Sequence, residues 1–355
     1  MLVSNNMKRV LVCTCAYNAG ETIARAIESI LEQSYSEWEN HILNNGSTDS
    51  TDEIIRKYAE QDSRIKSYST SVNDINQNAF FNDLIENTSA DWFSWLDADD
   101  EYRSDFLEKM VSFAESEKLD VAACGHDEIC AQTGETLKRR ALGYDLVISG
   151  ADFAEKFIEY RGFTPGLWAK LTSVELLKQN AIFSPWRPWF LYLDAILSLK
   201  TFQIASRAGI CGESMYAYYQ YPSSTSCKID EEALEGFDEW WHATKEYIES
   251  YGPVSRMNED FLYAIYLSII DGNLNLIYAS SLVFPQKLGL IKRIFTNPLA
   301  TETLSRKADP VFRNLAGRKQ FVREVINWIE SQPERKSIET GEVIALLSDI
   351  ASHCN

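Results

Sequence analysis

The first 125 residues alternate between short runs of hydrophobic residues and stretches with helical spacing. Four apolar runs predict buried strands, at positions 9–13, 41–43, 65–68 and 92–96. Between the runs, hydrophobic residues recur every three or four positions, as at Ile23, Ile27 and Ile30, and predict amphipathic helices. This alternation of strand and helix favours an α/β fold with a mostly parallel sheet flanked by helices.

The pattern changes twice further along the chain. Another apolar run at 120–124 is followed by a mixed, aromatic-rich stretch that extends to about residue 228. From Glu231 onward nearly every segment has helical spacing. We therefore predict two domains, an α/β domain over residues 1–228 and an all-helical C-terminal domain over residues 229–355.

Composition narrows the class of protein. The 355 residues are 45% hydrophobic and 12% aromatic, enough for a sizeable core. With 34 Lys and Arg against 52 Asp and Glu, the net charge of −18 argues against a nucleic-acid partner. Seven cysteines without a CxxC pair, and no basic or apolar leader, predict reduced thiols in a cytoplasmic protein.

Two features of the C-terminal half bear on membranes and partners. The apolar stretch 261–284 contains Asp271 and Asn273, which favours a buried helix over a bilayer span, and such apolar helices could form a homo-oligomer interface. The window 287–323 carries a net charge of +7, whereas the rest of the chain carries −25. This window predicts either peripheral contact with anionic lipid at the inner face of the membrane or docking of the basic face against the acidic domain or another subunit.

Candidate chemistry lies in the loops after the predicted strands, because ligands of α/β sheets collect at the carboxyl ends of strands. The segment 97–101 has four acids in five positions. On an extended backbone Asp97 and Asp99 point to the same side, and such oxygen ligands suit Mn²⁺ or Mg²⁺. The alternative is a solvated acidic turn before the next helix.

Several sequence elements occur in an order that resembles the family 2 glycosyltransferases. They are Val12–Asn18, Ile27–Tyr35, Asn44–Asp49, Leu96–Asp100, Trp168–Leu171 and Leu193–Asp194. The resemblance covers roughly residues 8 to 228. It implies the GT-A (Rossmann-like) fold and an inverting enzyme that uses nucleotide-diphosphate sugars.

The resemblance also implies roles for individual donor-site residues. Tyr17 would contact the nucleobase, and Asn45 would face the base edge. Asp97 would contact the ribose or donor sugar and, with Asp99, hold a Mn²⁺ or Mg²⁺ ion that bridges the diphosphate. Lys170 would contact the diphosphate.

Other residues are implicated on the acceptor side. By the same resemblance, Asp194 would be the general base that deprotonates the acceptor hydroxyl. Trp186 and Trp189 are aromatic residues on which a sugar ring could stack, and packing of the loop is the alternative. His126 follows a predicted strand and is a candidate lining residue of the acceptor pocket.

The chain departs from the family pattern at several positions. Asn44 and Asn45 stand where two acids are usual, and Phe81 stands where many members have arginine. Tyr219 and Tyr221 also occupy positions that are often arginine. These replacements predict an unusual donor or a weakened enzyme, because they remove potential diphosphate contacts.

Together, these features predict a metal-dependent, inverting glycosyltransferase. It would move sugar from a UDP-sugar to a glycan, glycoprotein or lipid-linked acceptor in bacterial cell-surface polysaccharide synthesis or adhesin glycosylation. One alternative is a sugar nucleotidyltransferase, although the loop at 17–20 lacks the Gly-rich, basic character of that class. The other is a non-catalytic nucleotide-sugar-binding or assembly protein.

Overall fold

The computed structural model describes residues 7–74, 78–180, 193–221, 229–306 and 317–354. The chain divides into two compact units, Met1–Pro222 and Ser223–Asn355. The boundary expected at residue 228 lies outside the described residues.

The first unit is built on one sheet of ten strands. The strands are β1 Val10–Ala16, β2 Trp38–Asn45, β3 Ile65–Thr70, β4 Trp92–Trp95, β5 Glu101–Tyr102, β6 Val121–Cys130, β7 Thr136–Arg140, β8 Leu146–Ser149, β9 Lys170–Ser173 and β10 Arg207–Gln220. Their order is β3-β2-β1-β4-β9-β6-β10-β5, with β7 on β6 and β8 on β10.

The sheet has a parallel half and a mixed half. Strands β1 to β4 are mutually parallel, as the alternating pattern predicts. Strand β9 then runs antiparallel between β4 and β6, while β10 is parallel to β6. The α/β class is confirmed, and the sheet is mixed because β5, β7, β8 and β9 all pair antiparallel with their neighbours.

Helices cover the sheet of the first unit. They are α1 Ile23–Leu31, α2 Thr51–Gln61, α3 Asn78–Asn87, α4 Phe106–Glu117, α5 Asp152–Glu155, α6 Phe157–Tyr160, α7 Val174–Asn180 and α8 Leu193–Ile204. Alternate residues of β1 enter two different hydrophobic clusters, Val10 and Val12 in one, Leu11 and Cys13 in the other. Since side chains alternate across a strand, both faces of the central strand are buried.

The second unit is helical in its described residues, as predicted for the C-terminal region. Its helices are α9 Glu231–Glu249, α10 Arg256–Ala279, α11 Phe284–Thr296, α12 Pro298–Ser305, α13 Arg318–Ser331 and α14 Ile338–His353. By length and composition α10 could cross a membrane. Its residues Leu262, Leu267, Leu274 and Ile277 are buried in this unit, so the helix packs as a core element here.

Cations of the basic window pair with acids of the same unit. The pairs are Arg293 with Glu231 and Glu235, Lys292 with Glu342, and Arg306 with Glu259 and Asp260. Both the membrane and the docking interpretations need cations that can contact a partner, and three of these cations are already paired within the unit. Membrane contact stays a prediction, and fewer cations are available for it.

A buried carboxylate ties together the strands at one side of the sheet. Asp127, only 1% exposed, accepts hydrogen bonds from Arg139 Nε at 2.7 Å, Ser214 Oγ at 2.9 Å and Arg103 Nη2 at 2.9 Å. Burial alone would raise the pKa of Asp127, but the hydrogen bonds from Arg139, Ser214 and Arg103 outweigh it and lower the pKa to about 2. The network joins β6, β7 and β10 to the turn before α4.

Asp127→Asn should therefore destabilise the protein in a pH-dependent way. Since the folded-state pKa lies below the ordinary 3.8, the charged form stabilises the fold above pH 4 and this contribution disappears as pH falls through about 2. We expect a loss of roughly 2 kcal/mol at pH 7 that shrinks toward low pH. Urea unfolding across pH tests this, with exposed Asp105→Asn as control, and a pH-independent loss would contradict it.

A glycine after β2 fixes the loop at the edge of the sheet. Gly46 has φ of +73°, and a Cβ added there would lie 2.2 Å from the backbone carbon of Val72. Gly134 has nearly the same φ, +71°, but open space around it. The two positions therefore share backbone strain and differ in steric contact.

Gly46→Ala should cost about 2 kcal/mol or more beyond Gly134→Ala, because only the first substitution forces backbone apart in addition to straining φ. The free energy of unfolding in urea, measured for both variants, provides the comparison. Equal losses would show that the contact between the 46 and 72 loops is unimportant.

Candidate functional site

The loops after β1 and β2 are joined where these strands end. The backbone N–H of Asn18 donates to Ser47 Oγ at 2.9 Å, and Asn18 Oδ1 accepts from the N–H of Thr48 at 2.9 Å. Asn18 has φ of +49°, a conformation that asparagine tolerates better than most residues. The neighbouring Tyr17 is 49% exposed, so its ring is accessible at this edge. Its contact with a nucleobase stays a prediction.

The two asparagines at the end of β2 are buried and hydrogen-bonded within the protein. Asn45 Nδ2 donates to Asn73 Oδ1 and to the Asp74 carbonyl, both at 3.0 Å, while its Oδ1 accepts from the Asp74 N–H and from Thr70 Oγ1. The amide therefore uses both donors and both acceptor sites. A contact between Asn45 and a base edge would require one of these bonds to be exchanged.

The segment Asp97–Asp100, called here the acidic turn, follows β4. Its backbone folds back, since the Asp100 N–H donates to the Asp97 carbonyl at 3.2 Å. The expectation of an extended backbone here is wrong, because β4 ends at Trp95 and β5 begins only at Glu101. Asp97 and Asp99 are nevertheless close enough for the charge of Asp99 to raise the pKa of Asp97.

Asp97 lies among groups that disfavour its charge. Burial raises its pKa to about 7, with further contributions from Asp99 and Asp194, against which the Trp95 hydrogen bond acts. Trp95 Nε1 donates to Asp97 Oδ1 at 2.7 Å and fixes the orientation of the carboxylate. Burial also raises the pKa of Asp99. A cation at this position would relieve the cost of keeping both carboxylates charged.

Asp100 fastens the acidic turn to β10. The hydroxyl of Tyr216 donates to Asp100 Oδ2 at 2.8 Å and accepts from the Asp97 N–H at 3.3 Å. The backbone N–H of Tyr219 donates to Asp100 Oδ1 at 2.8 Å. Asp100 is buried, and its pKa is raised well above the ordinary value by burial and by Asp97 and Asp99. We interpret Asp100 as a structural member of the turn.

Arg25 of α1 is a site residue that sequence reasoning missed. Its guanidinium donates to the Asp99 carbonyl, lies 2.9 Å from Glu101 Oε1 and donates to the Tyr221 hydroxyl at 3.0 Å. It also stacks over the Tyr219 ring at 3.7 Å. The helical spacing of α1 gives no sign of these contacts, because it shows only that Arg25 is not one of the helix's buried residues. The signal was the pair of tyrosines at positions that are often arginine.

The acidic turn has oxygen atoms that could hold a divalent ion. Among the described residues, neither Asp97 Oδ2 nor the Asp99 carboxylate accepts a hydrogen bond from another residue, and no group of three or more His, Cys, Asp or Glu is placed to hold a metal ion. Two carboxylates suffice for Mg²⁺ or Mn²⁺ when substrate phosphates complete the coordination. The donor set therefore fits an ion that binds together with a nucleoside diphosphate.

Lys170 is committed to its own loop. Its Nζ donates to the carbonyl oxygens of Pro165 at 3.1 Å, Gly166 at 2.9 Å and Trp168 at 3.2 Å, which uses all three donors of an ammonium group. Burial lowers the pKa of Lys170 to about 7. A diphosphate contact from Lys170 would require one of these carbonyls to be released.

His126 lies in an aromatic cluster held by that loop. The ring of Trp168 stacks on Tyr216 and Tyr218, with centroids 5.0 and 5.5 Å away, and meets His126 edge-on at 4.8 Å. Burial lowers the pKa of His126 to about 4, assisted by Arg140 and Lys170. His126 is therefore a neutral, nearly buried imidazole at neutral pH.

The fold brings Asp194 back toward the acidic turn. Asp194 lies in the first turn of α8, and its charge acts on both Asp97 and Lys170. Burial raises the pKa of Asp194, partly offset by Lys170. The role of Asp194 as a general base stays a prediction. Trp186 and Trp189 lie outside the described residues.

The chain is similar to known glycosyltransferases. Residues 11–173 match the model of glycosyl transferase family 2. An uncharacterized glycosyltransferase YibD of Escherichia coli is 27% identical over 227 residues, 62% of this chain and 64% of the relative. A putative teichuronic acid biosynthesis glycosyltransferase TuaG of Bacillus subtilis is 31% identical over 130 residues, 37% of this chain and 51% of the relative. The chain thus spans about half to two thirds of these curated relatives.

Solved structures show the same fold. Residues 1–349 of S. aureus TarS, crystallised with UDP, superpose with a TM-score of 0.51 at 17% identity, covering 97% of this chain and 88% of that one. A complex of TarS with UDP-GlcNAc gives a TM-score of 0.51 at 16% identity, with 97% and 89% coverage. Residues 11–173 of this chain therefore form a domain of glycosyl transferase family 2, with the GT-A fold.

Proposed function

We propose that this protein is a metal-dependent, inverting glycosyltransferase that transfers a sugar from a UDP-sugar to an acceptor hydroxyl. The observation that carries the proposal is the electrostatic proximity of the acidic turn and Asp194, which come from segments almost 100 residues apart. TarS crystal structures with UDP and UDP-GlcNAc support the choice of donor by analogy. A cell-surface glycan is the acceptor that bacterial relatives suggest.

Each part of the proposed donor site has a defined task. The exposed ring of Tyr17 offers a stacking surface for the base at the end of β1. Asp97 and Asp99 would hold the divalent ion. When bound, such an ion stabilises the negative charge that develops on the departing nucleoside diphosphate. Arg25 keeps the turn in place through the Asp99 carbonyl.

Asp194 is the candidate general base. Its carboxylate must accept the proton of the acceptor hydroxyl as the bond to the sugar forms. In an inverting reaction the acceptor attacks opposite to the leaving group, so the base has to come from a segment other than the acidic turn. The effect of Asp194 on the pKa of Asp97 supports this assignment, and the charge of Lys170 favours the ionised form of Asp194.

A non-catalytic nucleotide-sugar-binding protein is the second candidate function. The specific observation in its favour is that Lys170 and Asn45 already use their polar atoms inside the protein. Such a protein would bind UDP with a divalent ion but would not turn over a donor. Isothermal titration with UDP and Mn²⁺, followed by a donor-hydrolysis screen over UDP-, GDP- and dTDP-sugars, separates the two functions.

Asp99→Asn should reduce Mn²⁺-dependent hydrolysis or transfer by about 100-fold or more. The substitution removes a carboxylate that would hold the divalent ion, and the ion would stabilise the negative charge of the departing diphosphate in the transition state. Turnover is measured as UDP release, with and without EDTA. Asp105→Asn removes a neighbouring exposed carboxylate that pairs with Lys109 and should leave turnover unchanged. Undiminished turnover in Asp99→Asn would exclude the metal role.

Asp194→Asn should abolish transfer to an acceptor while leaving UDP affinity within about twofold, because the base acts on the acceptor hydroxyl. Acceptor-dependent turnover and calorimetric UDP binding are measured on the same preparation. If UDP binding and transfer fall together, Asp194 supports the donor site and is not the base.

A further inference from the structure

The first helix holds Arg25 against the strand that follows the acidic turn. Arg25 and Ser29 lie one helical turn apart on α1, so their side chains lie on the same face of the helix. Ser29 Oγ accepts from the backbone N–H of Tyr102 at 3.2 Å, and Arg25 Nε lies 2.9 Å from Oε1 of Glu101. This face of α1 therefore contacts both residues of β5, which fixes the position from which the Arg25 side chain extends.

The guanidinium itself is held by β10 and the residue after it. It stacks over the ring of Tyr219 at 3.7 Å, and its Nη2 donates to the hydroxyl of Tyr221 at 3.0 Å and to the Asp99 carbonyl. A mobile arginine loses side-chain entropy when it binds a ligand. Arg25 is ordered in advance, because a ring, a hydroxyl, a carbonyl and a carboxylate all hold its guanidinium plane.

One nitrogen of this ordered group has no partner in the described part of the chain. Nε of Arg25 is buried beside Glu101, and Nη2 is used by Asp99 and Tyr221. Nη1, which carries two N–H donors, makes no hydrogen bond or ion pair with a described residue. The side chain is 33% exposed, and Nη1 is not among its buried atoms, so a ligand can reach Nη1 from solvent.

The position of Nη1 indicates the kind of ligand that would bind there. The nitrogens of a guanidinium lie in one plane, so the donors of Nη1 are beside the bond from Nη2 to the Asp99 carbonyl. Asp99 is one of the two residues proposed to hold a divalent ion together with a nucleoside diphosphate. Arginine N–H donors pair well with phosphate oxygens. A phosphate of the donor is the oxyanion that the proposed reaction brings to this position.

We infer that Arg25 binds the diphosphate of the sugar donor through Nη1. The inference rests on the proposed function for the donor and for the ion. The two donors of Nη1 would meet phosphate oxygens while Nε and Nη2 keep their contacts within the protein, so binding would not rearrange the acidic turn. Tyr219 and Tyr221 would then serve substrate binding indirectly, because they hold the guanidinium in place.

The test measures binding of inorganic pyrophosphate in the presence of Mg²⁺, followed by phosphorus NMR. Pyrophosphate has two linked phosphates and no base or sugar, so the result does not depend on which nucleotide the protein uses. We expect saturable binding to the wild-type protein and about tenfold weaker binding to Arg25→Gln, because a charge-assisted contact is lost. Arg25→Lys keeps the charge without the paired donors and should give an intermediate affinity.

Arg9→Gln is the matched control. It removes one positive charge, as Arg25→Gln does, but Arg9 is exposed and precedes β1, at the opposite end of that strand from Tyr17. Pyrophosphate affinity should stay within twofold of the wild-type value in Arg9→Gln. Equal weakening in the two variants would reduce the effect to net charge and overturn the inference.

A double-mutant cycle with Asp99→Asn separates a direct contact from an effect on the acidic turn. Arg25 bonds the backbone carbonyl of Asp99, which this substitution retains, so a direct contact with pyrophosphate would survive it. The tenfold loss from Arg25→Gln should therefore recur in the Asp99→Asn background. If the loss disappears there, Arg25 acts only through the ion that Asp99 holds, and the inference is overturned.

Two simpler outcomes also decide the question. Absence of saturable pyrophosphate binding in the wild-type protein overturns the inference, and so does undiminished binding in Arg25→Gln. Neither measurement needs turnover of a donor, whereas the proposed function is tested by UDP release and by transfer to an acceptor. The inference and the proposed function can therefore fail independently.

Discussion

The structure depends on burying a cluster of carboxylates at the end of a central strand. Four of the five residues from 97 to 101 are acids, in a protein that already carries a net charge of −18. Three of the four acids meet different compensating groups, which stabilises the turn. Trp95 donates to Asp97, Tyr216 and the backbone of Tyr219 donate to Asp100, and Arg25 pairs with Glu101. Asp99 alone retains a carboxylate without such a donor among the described residues.

This arrangement gives the tyrosines of β10 a structural explanation. Tyr219 stacks under Arg25 and donates its hydroxyl to Glu101 at 3.0 Å, while Tyr221 accepts from the same guanidinium. At positions that are often arginine, the chain therefore uses phenols to hold an arginine that comes from α1. The cation is retained near the turn, but it contacts backbone and side chains of the protein. The two tyrosines therefore affect how firmly the acidic turn is held, in addition to removing two possible contacts with the diphosphate.

The sequence predicted most of the parallel half of the sheet and less of the mixed half. Buried runs such as Val10–Cys13 carry a strong signal, because both faces of a central strand are apolar. Strands β5, β7 and β9 are short or exposed, and their pairing depends on contacts between distant residues that no local pattern encodes. The family resemblance located the acidic turn, but the turn's backbone was misjudged because spacing alone assumes an extended chain.

The same limit applies to the site residues. The resemblance assigns Lys170 and Asn45 to substrate binding. In the structure, Lys170 donates to three backbone carbonyls, and Asn45 is hydrogen-bonded to the 70–74 loop. Hydrogen-bond partners follow from loop geometry, which residue identity does not specify. Arg25 was missed for the opposite reason, since its partners lie on two segments far from it in sequence, 99–101 and 219–221. Only the folded chain shows that polar atoms at two expected positions are already used.

Charge is divided across the sheet edge in a way that constrains substrate binding. The end of β1 presents the exposed ring of Tyr17, and the acidic turn presents the carboxylates of Asp97 and Asp99. In the proposed reaction, Asp97 and Asp99 would repel a diphosphate that approaches the acidic turn, so donor affinity would rise with the concentration of a divalent cation. Removing the ion with EDTA should therefore weaken donor binding in the proposed reaction.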